Sequence, residues 1–358
     1  MTDVYKRLAK KLDELPNGFP STDSGVELKI LQKIFTLEDA EMALKIRPIP
    51  ETAAQIGERL GKPGNEMDTI LGNMVKKGQI GTTRMNDQQV YLFFPFVFGI
   101  WEFQQPRLDK ELAELMEEYG PSLMGTLGRY APAMMRVVPI NIEIDGEHQV
   151  RPYEDLRRTL EDAKSFRVMD CICKKERGLM GEPCKHPTEV CMAFSNHEGA
   201  FEKYPVGRAI SREEALELVK KCDEEGLVHM TFNVQNNQMF VCNCCSCCCG
   251  VIRGMMDYNA PNIMAKSNYH ASINQETCAV CGICADERCP VKAIAEKDGV
   301  YEVQQDRCIG CGVCVPTCAT DSITLVRKPD AAHEAPPDHL MDWYFKRAQN
   351  RGTKIVVD

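Results

Sequence analysis

The chain has 358 residues, 44% of them apolar, and a formal charge of −9. That length leaves room for roughly two or three domains with ordinary cores, which excludes a disordered or fibrous chain. The charge opposes unspecific adhesion to phosphate backbones and favours basic partners. The chain also carries nineteen cysteines. Met1 to Leu15 is charged and lacks the apolar core of a signal peptide, so these thiols read as metal ligands in a reducing cytoplasm rather than as disulfides. The longest apolar run, Val90 to Trp101, has 12 residues and contains Pro95, whereas a spanning helix needs about 20. No transmembrane segment is visible, and a peripheral membrane or partner contact through this run stays open.

From Gly25 to Ile46 the apolar residues recur at helical spacing and predict two helices, Thr36 capping the second and Pro48 and Pro50 ending it. Ala53, Ile56 and Leu60 form a further helical stripe. After a turn at Gly61 to Gly64, Met67, Ile70, Leu71 and Met74 form another, and Gly78 opens a hairpin around Asn86 and Asp87. Helix, turn, helix and two-stranded wing is the order of a winged-helix domain, and residues 23–95, within a domain of 23–103, resemble that family. Such domains often read DNA with their second helix. Here Arg59, Lys62, Lys76, Lys77 and Arg84 are balanced by Glu51, Glu58, Glu66, Asp68 and Asp87. With no net positive footprint, docking onto another domain or protein is the favoured reading and DNA binding the disfavoured one.

Residues 104–268 read as a mixed α/β, cysteine-rich domain. The pattern predicts a helix over Leu108 to Tyr119, a looser stretch with Pro121, Gly125, Gly128 and Pro132, a strand over 139–144, a helix over Tyr153 to Ala163 and a strand over Phe166 to Met169. Ser211 caps a later helix, with Glu213 and Glu214 at its positive end, Leu216 and Leu218 packing inward and Gly226 stopping it. Cys222 lies inside that helix and reads as a core thiol. Strands over Val228 to Val234 and Met239 to Val241 flank Asn236 and Asn237.

Ten cysteines of this domain form two groups. Cys171, Cys173, Cys184 and Cys191 lie in a loop-rich segment that could close around one metal. Their spacing lacks the paired x2 to x4 pattern of structural zinc, so an iron–sulfur cluster is preferred and zinc is the alternative. Cys242, Cys244, Cys245, Cys247, Cys248 and Cys249 crowd into eight residues. Neighbours point in different directions, so six cannot serve one tetrahedral set; Cys242 and Cys244 share a face if the strand continues. The ten thiols predict one or two additional [4Fe-4S] clusters, or free thiolates beside one.

CAVCGICADERCP from Cys278 and CIGCGVCVPTC from Cys308 follow as an internal repeat in residues 269–327. Short apolar stretches after each run, Val291 to Ala295 and Ser322 to Val326, together with Gly299, Val300 and Tyr301, read as hairpin strands. The runs resemble a bacterial-type ferredoxin with two [4Fe-4S] clusters. In that family three cysteines of one run and the fourth of the other hold each cluster. The resemblance assigns Cys278, Cys281, Cys284 and Cys318 to one cluster and Cys308, Cys311, Cys314 and Cys289 to the second. Two departures stand out: four residues instead of three separate Cys284 from Cys289, and Ala319 replaces the usual proline. The tail, 328–358, adds a helix around Leu340 to Ala348 with no evident chemistry.

The predicted fold class is thus α+β and multidomain. The whole-chain pattern looks like large uncharacterised iron–sulfur proteins of anaerobic bacteria and archaea. That resemblance implies anaerobic redox metabolism, with electrons passing to or from a partner oxidoreductase. Two alternatives are an iron–sulfur reductase acting on a disulfide or sulfur substrate at the cysteine-rich site, and a redox-responsive winged-helix regulator. The chain has no G-x-G-x-x-G or G-x-x-x-x-G-K-[ST] loop, which favours a carrier or electron-transfer subunit over a self-sufficient enzyme.

Overall fold

The computed structural model describes residues 2–85, 88–139, 155–202, 204–258, 260, 262–329, 332–333 and 335–353. The expected hairpin tip at Asn86 and Asp87, most of the expected strand over 139–144, and the first residues of the helix expected from Tyr153 lie outside them. Helix α1 (Thr2–Glu14) has no counterpart among the expected elements, although Val4, Tyr5, Leu8 and Leu12 form a buried stripe along it. Helices α2 (Val26–Ile34), α3 (Leu37–Ala43), α4 (Ala53–Leu60) and α5 (Gly64–Lys76) precede an antiparallel hairpin, β1 (Gly81–Met85) and β2 (Gln88–Leu92).

Two of these helices start with reciprocal caps, Thr36 with Asp39 and Thr52 with Gln55, each satisfying two backbone donors that would otherwise be orphaned. Asp39 also accepts from Lys77 Nζ at 2.8 and 3.0 Å and from Gln79 Nε2 at 2.9 Å. Burial by itself would raise its carboxyl, but the ammonium, the amide and the Thr36 backbone hold it below the usual aspartate range. The resulting stabilisation is present above the unfolded-state range and disappears as pH falls through the lowered folded value. Asp39→Asn should therefore cost about 1–2 kcal/mol at pH 7. Urea melts should show that gap closing in acid; a gap independent of pH would disprove the role of the charge.

The apolar run after the hairpin goes inward. Tyr91, Phe93, Phe96, Val97, Ile100 and Trp101 are buried, and Phe19 meets Phe96 and Tyr119 with ring centroids 4.7 and 5.1 Å apart. Most of the run is core, which corrects the reading that left it open to a membrane or partner contact. Tyr119 lies on α6 (Lys110–Leu127), which continues through Pro121 where a looser stretch was expected. Leu123, Met124 and Leu127 extend the stripe of Leu112, Met116 and Tyr119, and this packing outweighs the single amide that proline removes.

A seven-stranded sheet forms the centre, built from β3 (Met135–Val137), β4 (Ser165–Asp170), β5 (Glu189–Ser195), β6 (Arg208–Ile210), β7 (Val228–Phe232), β8 (Phe240–Cys244) and β9 (Met264–Ala265). Its order is β6-β4-β5-β8-β7-β3-β9, with only β3 and β9 parallel. Helices α7 (Leu156–Glu161) and α9 (Arg212–Glu224) bury Leu156, Leu160, Ala215 and Val219 against Phe166, Phe194 and Val241. Between them in the chain is α8 (Ile172–Leu179), and α10 (Gly250–Asp257) follows β8; each begins at a cysteine.

Two smaller antiparallel pairs complete the fold, β10 (Tyr269–Ile273) with β13 (Ile323–Arg327) and β11 (Ile294–Lys297) with β12 (Val300–Val303). Asp298 and Gly299 both have positive φ, 53° and 83°, as a tight two-residue hairpin requires. Finally α11 (Leu340–Arg351) buries Trp343 and Arg347 completely. The tail helix is longer than expected and part of the core.

Candidate metal centres

The two C-terminal cysteine runs have the same backbone course. Val280 and Gly310 occupy matching left-handed positions with φ 52° and 65°, Gly282 and Gly312 both have φ 80°, and Lys292 and Asp321 match at 51° and 49°. The last cysteine of each run accepts a backbone amide four residues on: Ala293 N donates to Cys289 Sγ at 3.1 Å and Ser322 N to Cys318 Sγ at 3.2 Å. The extra residue before Cys289 is absorbed by a wide turn, in which Cys289 N reaches Cys284 O at 3.0 Å; in the second run Cys318 N reaches Val315 O at 3.2 Å. The departure in spacing thus changes a turn and leaves the amide-to-thiol bond intact.

Cys289, Cys308, Cys311 and Cys314 line one cavity with Val291, Ile294 and Leu325. Burial pushes the Cys311 thiol up to about 12 and Cys314 well above its usual value, with neighbouring Cys308 and Cys289 adding to both. Thiols so placed become thiolates only against a compensating positive core, which a metal cluster provides. Cys278, Cys281 and Cys284 lie nearer the surface, Cys281 being exposed. Thr277 Oγ1 is 2.8 Å from Ser322 Oγ, which sets the start of the first run beside the Cys318 turn. The donors suit a thiophilic centre such as an iron–sulfur cluster: all are soft sulfur ligands, and backbone amides reach Cys289 and Cys318.

The ten upstream thiols divide differently from their grouping along the chain. Cys184, Cys245, Cys247 and Cys248 all lie within 4.8 Å of one another, with Cys184 Sγ 3.6 Å from Cys245 Sγ and 3.8 Å from Cys247 Sγ. Cys184 thus lies closest to Cys245, Cys247 and Cys248, while Cys171, Cys173 and Cys191 pack in the same cluster as Cys184, Cys245 and Cys248. Met192 pairs with Val241, which sets Cys191 beside Cys242 across β5 and β8, and Cys171, Cys173, Cys191, Cys242 and Cys244 are electrostatic neighbours in turn. As expected, Cys242 and Cys244 share one face of β8.

Protons are unevenly shared within both sets. Bonds from Cys191 and Cys244 hold Cys242 down to about 5, while Cys173, Cys191 and Cys244 are pushed well up. In the other set Cys248 and Cys247 bring Cys245 down to about 5 against the effect of burial. Lys174, buried and donating to Pro187 O at 2.6 Å, adds positive charge near both Cys171 and Cys245. Sequence reasoning missed this lysine, and also Glu102 and Glu176, whose carboxyls burial lifts to about 8. Cys222 is a core thiol as expected, packed with Val190 and Leu227 and pushed up to about 12 by burial.

Ferredoxin-1 of Rhodobacter capsulatus is 41% identical to this chain over 56 residues, 14% of this chain and 85% of that ferredoxin. The chain belongs to the ferredoxin family. The kinship is local to a C-terminal segment. An uncharacterized ferredoxin of Methanocaldococcus jannaschii is 34% identical over 96 residues, 25% of this chain and 52% of the relative. The electron transport protein HydN of Escherichia coli is 38% identical over 61 residues, 16% of this chain and 35% of HydN. The chain thus spans about half the length of the first of these two and about a third of the second. No family model and no solved structure matches it.

The ferredoxin segment is tied to the central sheet through Arg288. Its guanidinium donates to Asp223 O and Glu224 O, the exposed carbonyl end of α9, and to Val313 O, each at 3.0 Å. One cation so caps a helix C-terminus and joins both cysteine runs to the cysteine-rich layer.

Proposed function

We propose that the chain is an iron–sulfur electron carrier serving a partner oxidoreductase. Cys278, Cys281, Cys284 and Cys318 hold one [4Fe-4S] cluster in this reading, and Cys308, Cys311, Cys314 and Cys289 hold a second. The observation that carries it is the repeat of left-handed turns and amide-to-thiol bonds in two cysteine runs. Kinship with ferredoxins, and with a protein named for electron transport, supports it. A four-iron cluster supplies reversible one-electron chemistry. The chain's own part is to place donors and to graduate exposure. The first run opens to the surface at Cys281, where a partner can approach, whereas Cys308, Cys311 and Cys314 are buried. Residues 23–103 act as a winged-helix-like docking module, for which their balanced charge suits protein better than DNA. The upstream thiols hold further clusters that lengthen the relay.

Cys311→Ala should remove about four irons per chain and one reduced-cluster signal. Low-temperature EPR of anaerobically purified, dithionite-reduced protein, with parallel iron and zinc analysis, reads both. A spectrum identical to that of the unaltered protein would refute the assignment.

A further inference from the structure

We infer that Cys184, Cys245, Cys247 and Cys248 bind a single zinc ion as a four-thiolate site, in place of an iron–sulfur cluster. Two stretches of chain build it. After β8 the chain turns through Ser246, with Cys249 N donating to Cys245 O at 3.1 Å, and this one turn carries three of the thiols. The fourth, Cys184, comes from the loop between α8 and β5, 61 positions before Cys245. Lys174 on α8 holds that loop by donating to Pro187 O at 2.6 Å.

Sulfur spacing decides what fits. A tetrahedral zinc ion with Zn–S bonds of about 2.3 Å sets its four sulfurs about 3.8 Å apart. Here Cys184 Sγ stands 3.6 Å from Cys245 Sγ and 3.8 Å from Cys247 Sγ. Cys247 Sγ is 3.2 Å from Cys245 Sγ and 3.6 Å from Cys248 Sγ, and all four sulfurs lie within 4.8 Å of one another. A four-iron cube gives each thiolate an iron of its own, which spreads the sulfurs to roughly 6 Å. A cube would have to drive all four thiols apart, whereas one ion asks for only small shifts.

Donor chemistry narrows the metal. Four soft thiolates suit zinc or iron, and at the same site zinc binds more tightly than ferrous iron. Cys245 and Cys248 also have the C-x2-C separation usual in structural zinc sites. Both are buried, Cys184 is partly so and Cys247 is exposed, so an ion can enter from solvent and still be shielded on its inner side. Zinc has no redox chemistry. The site therefore stands outside the electron relay and clasps the Cys184 loop to the turn that precedes α10. This inference goes beyond the carrier reading and does not depend on it; six upstream thiols remain for the relay's further clusters.

The test uses the full chain, produced with both iron and zinc supplied and purified anaerobically. Metal analysis should find about one zinc per chain, and zinc-edge X-ray absorption should show four sulfurs at about 2.3 Å. Cys247→Ser, at the exposed corner, should lose the zinc or exchange one of its sulfurs for oxygen, with iron content unchanged. Absence of zinc, or zinc held by fewer than four sulfurs in the unaltered protein, would overturn the inference. A Cys247→Ser protein with an unaltered zinc spectrum, or with about four irons fewer, would do the same. Trypsin reads the clasp directly: Lys185 is exposed in the loop, and chelating the zinc should speed cleavage there, whereas an unchanged rate would remove the clasping role. EPR of the downstream clusters in the same samples registers any failure of the carrier reading separately.

Discussion

Gly310→Ala is expected to unfold the second cysteine cage, at a cost of about 4 kcal/mol or more. A Cβ there would sit 2.1 Å from Tyr269 O and 2.2 Å from Ser267 Oγ. Neither can withdraw freely, because Tyr269 begins β10 and Ser267 Oγ donates to Gly310 O at 2.7 Å. The left-handed dihedral is not what forbids a side chain. Val280 holds the matching position in the first run at φ 52°, with its side chain 44% exposed. Val280→Gly should accordingly stay within about 1 kcal/mol of the parent. Thermal unfolding and iron content measured on both variants separate crowding from dihedral strain, and a Gly310→Ala protein with parental melting and full iron would defeat the account.

Arg347→Ala should destabilise the protein by about 3–5 kcal/mol. The guanidinium is fully buried among backbone carbonyls: Nε donates to Pro16 O at 2.9 Å, Nη1 to Pro132 O at 2.8 Å and to Tyr130 O, and Nη2 to Leu127 O at 2.6 Å. Truncation leaves these acceptors unserved and opens a cavity beside Trp343, whose ring lies 5.3 Å from the guanidinium. Lysine should rescue little, since one ammonium cannot reproduce a planar fork aimed at carbonyls from three directions. Urea denaturation decides the matter; a loss below about 1 kcal/mol would mean that water replaces the arginine.

Much of the secondary structure was legible because its causes are local. Thr36 and Thr52 announce helix starts through their own side chains, and Gly61 stops α4 with φ 66°. The likeness of the two C-terminal runs to ferredoxins was legible for the same reason, since their C-x2-C spacing is itself local. Where distant chain decides, local reading failed. Helix α6 passes Pro121 because Leu123 and Leu127 find a core supplied elsewhere. The nearness of Cys242 to Cys191, some fifty residues earlier, was not legible because it depends on β8 joining the sheet beside β5. No spacing rule encodes that strand order. Arg347, in a tail read as without chemistry, satisfies a loop more than two hundred residues before it.

That last contact also bears on how the chain is made. Its closure spans 331 positions to Pro16 and 215 to Pro132. At about 5–20 residues per second, synthesis from Pro132 to Arg347 takes roughly ten to forty seconds. Throughout that interval the carbonyls of Leu127, Tyr130 and Pro132 lack the donor that Arg347 supplies, and the helices before them lack their closing strut. The cysteine layers emerge from the ribosome within the same window, so iron delivery meets a chain whose first and last helices have not yet been locked together.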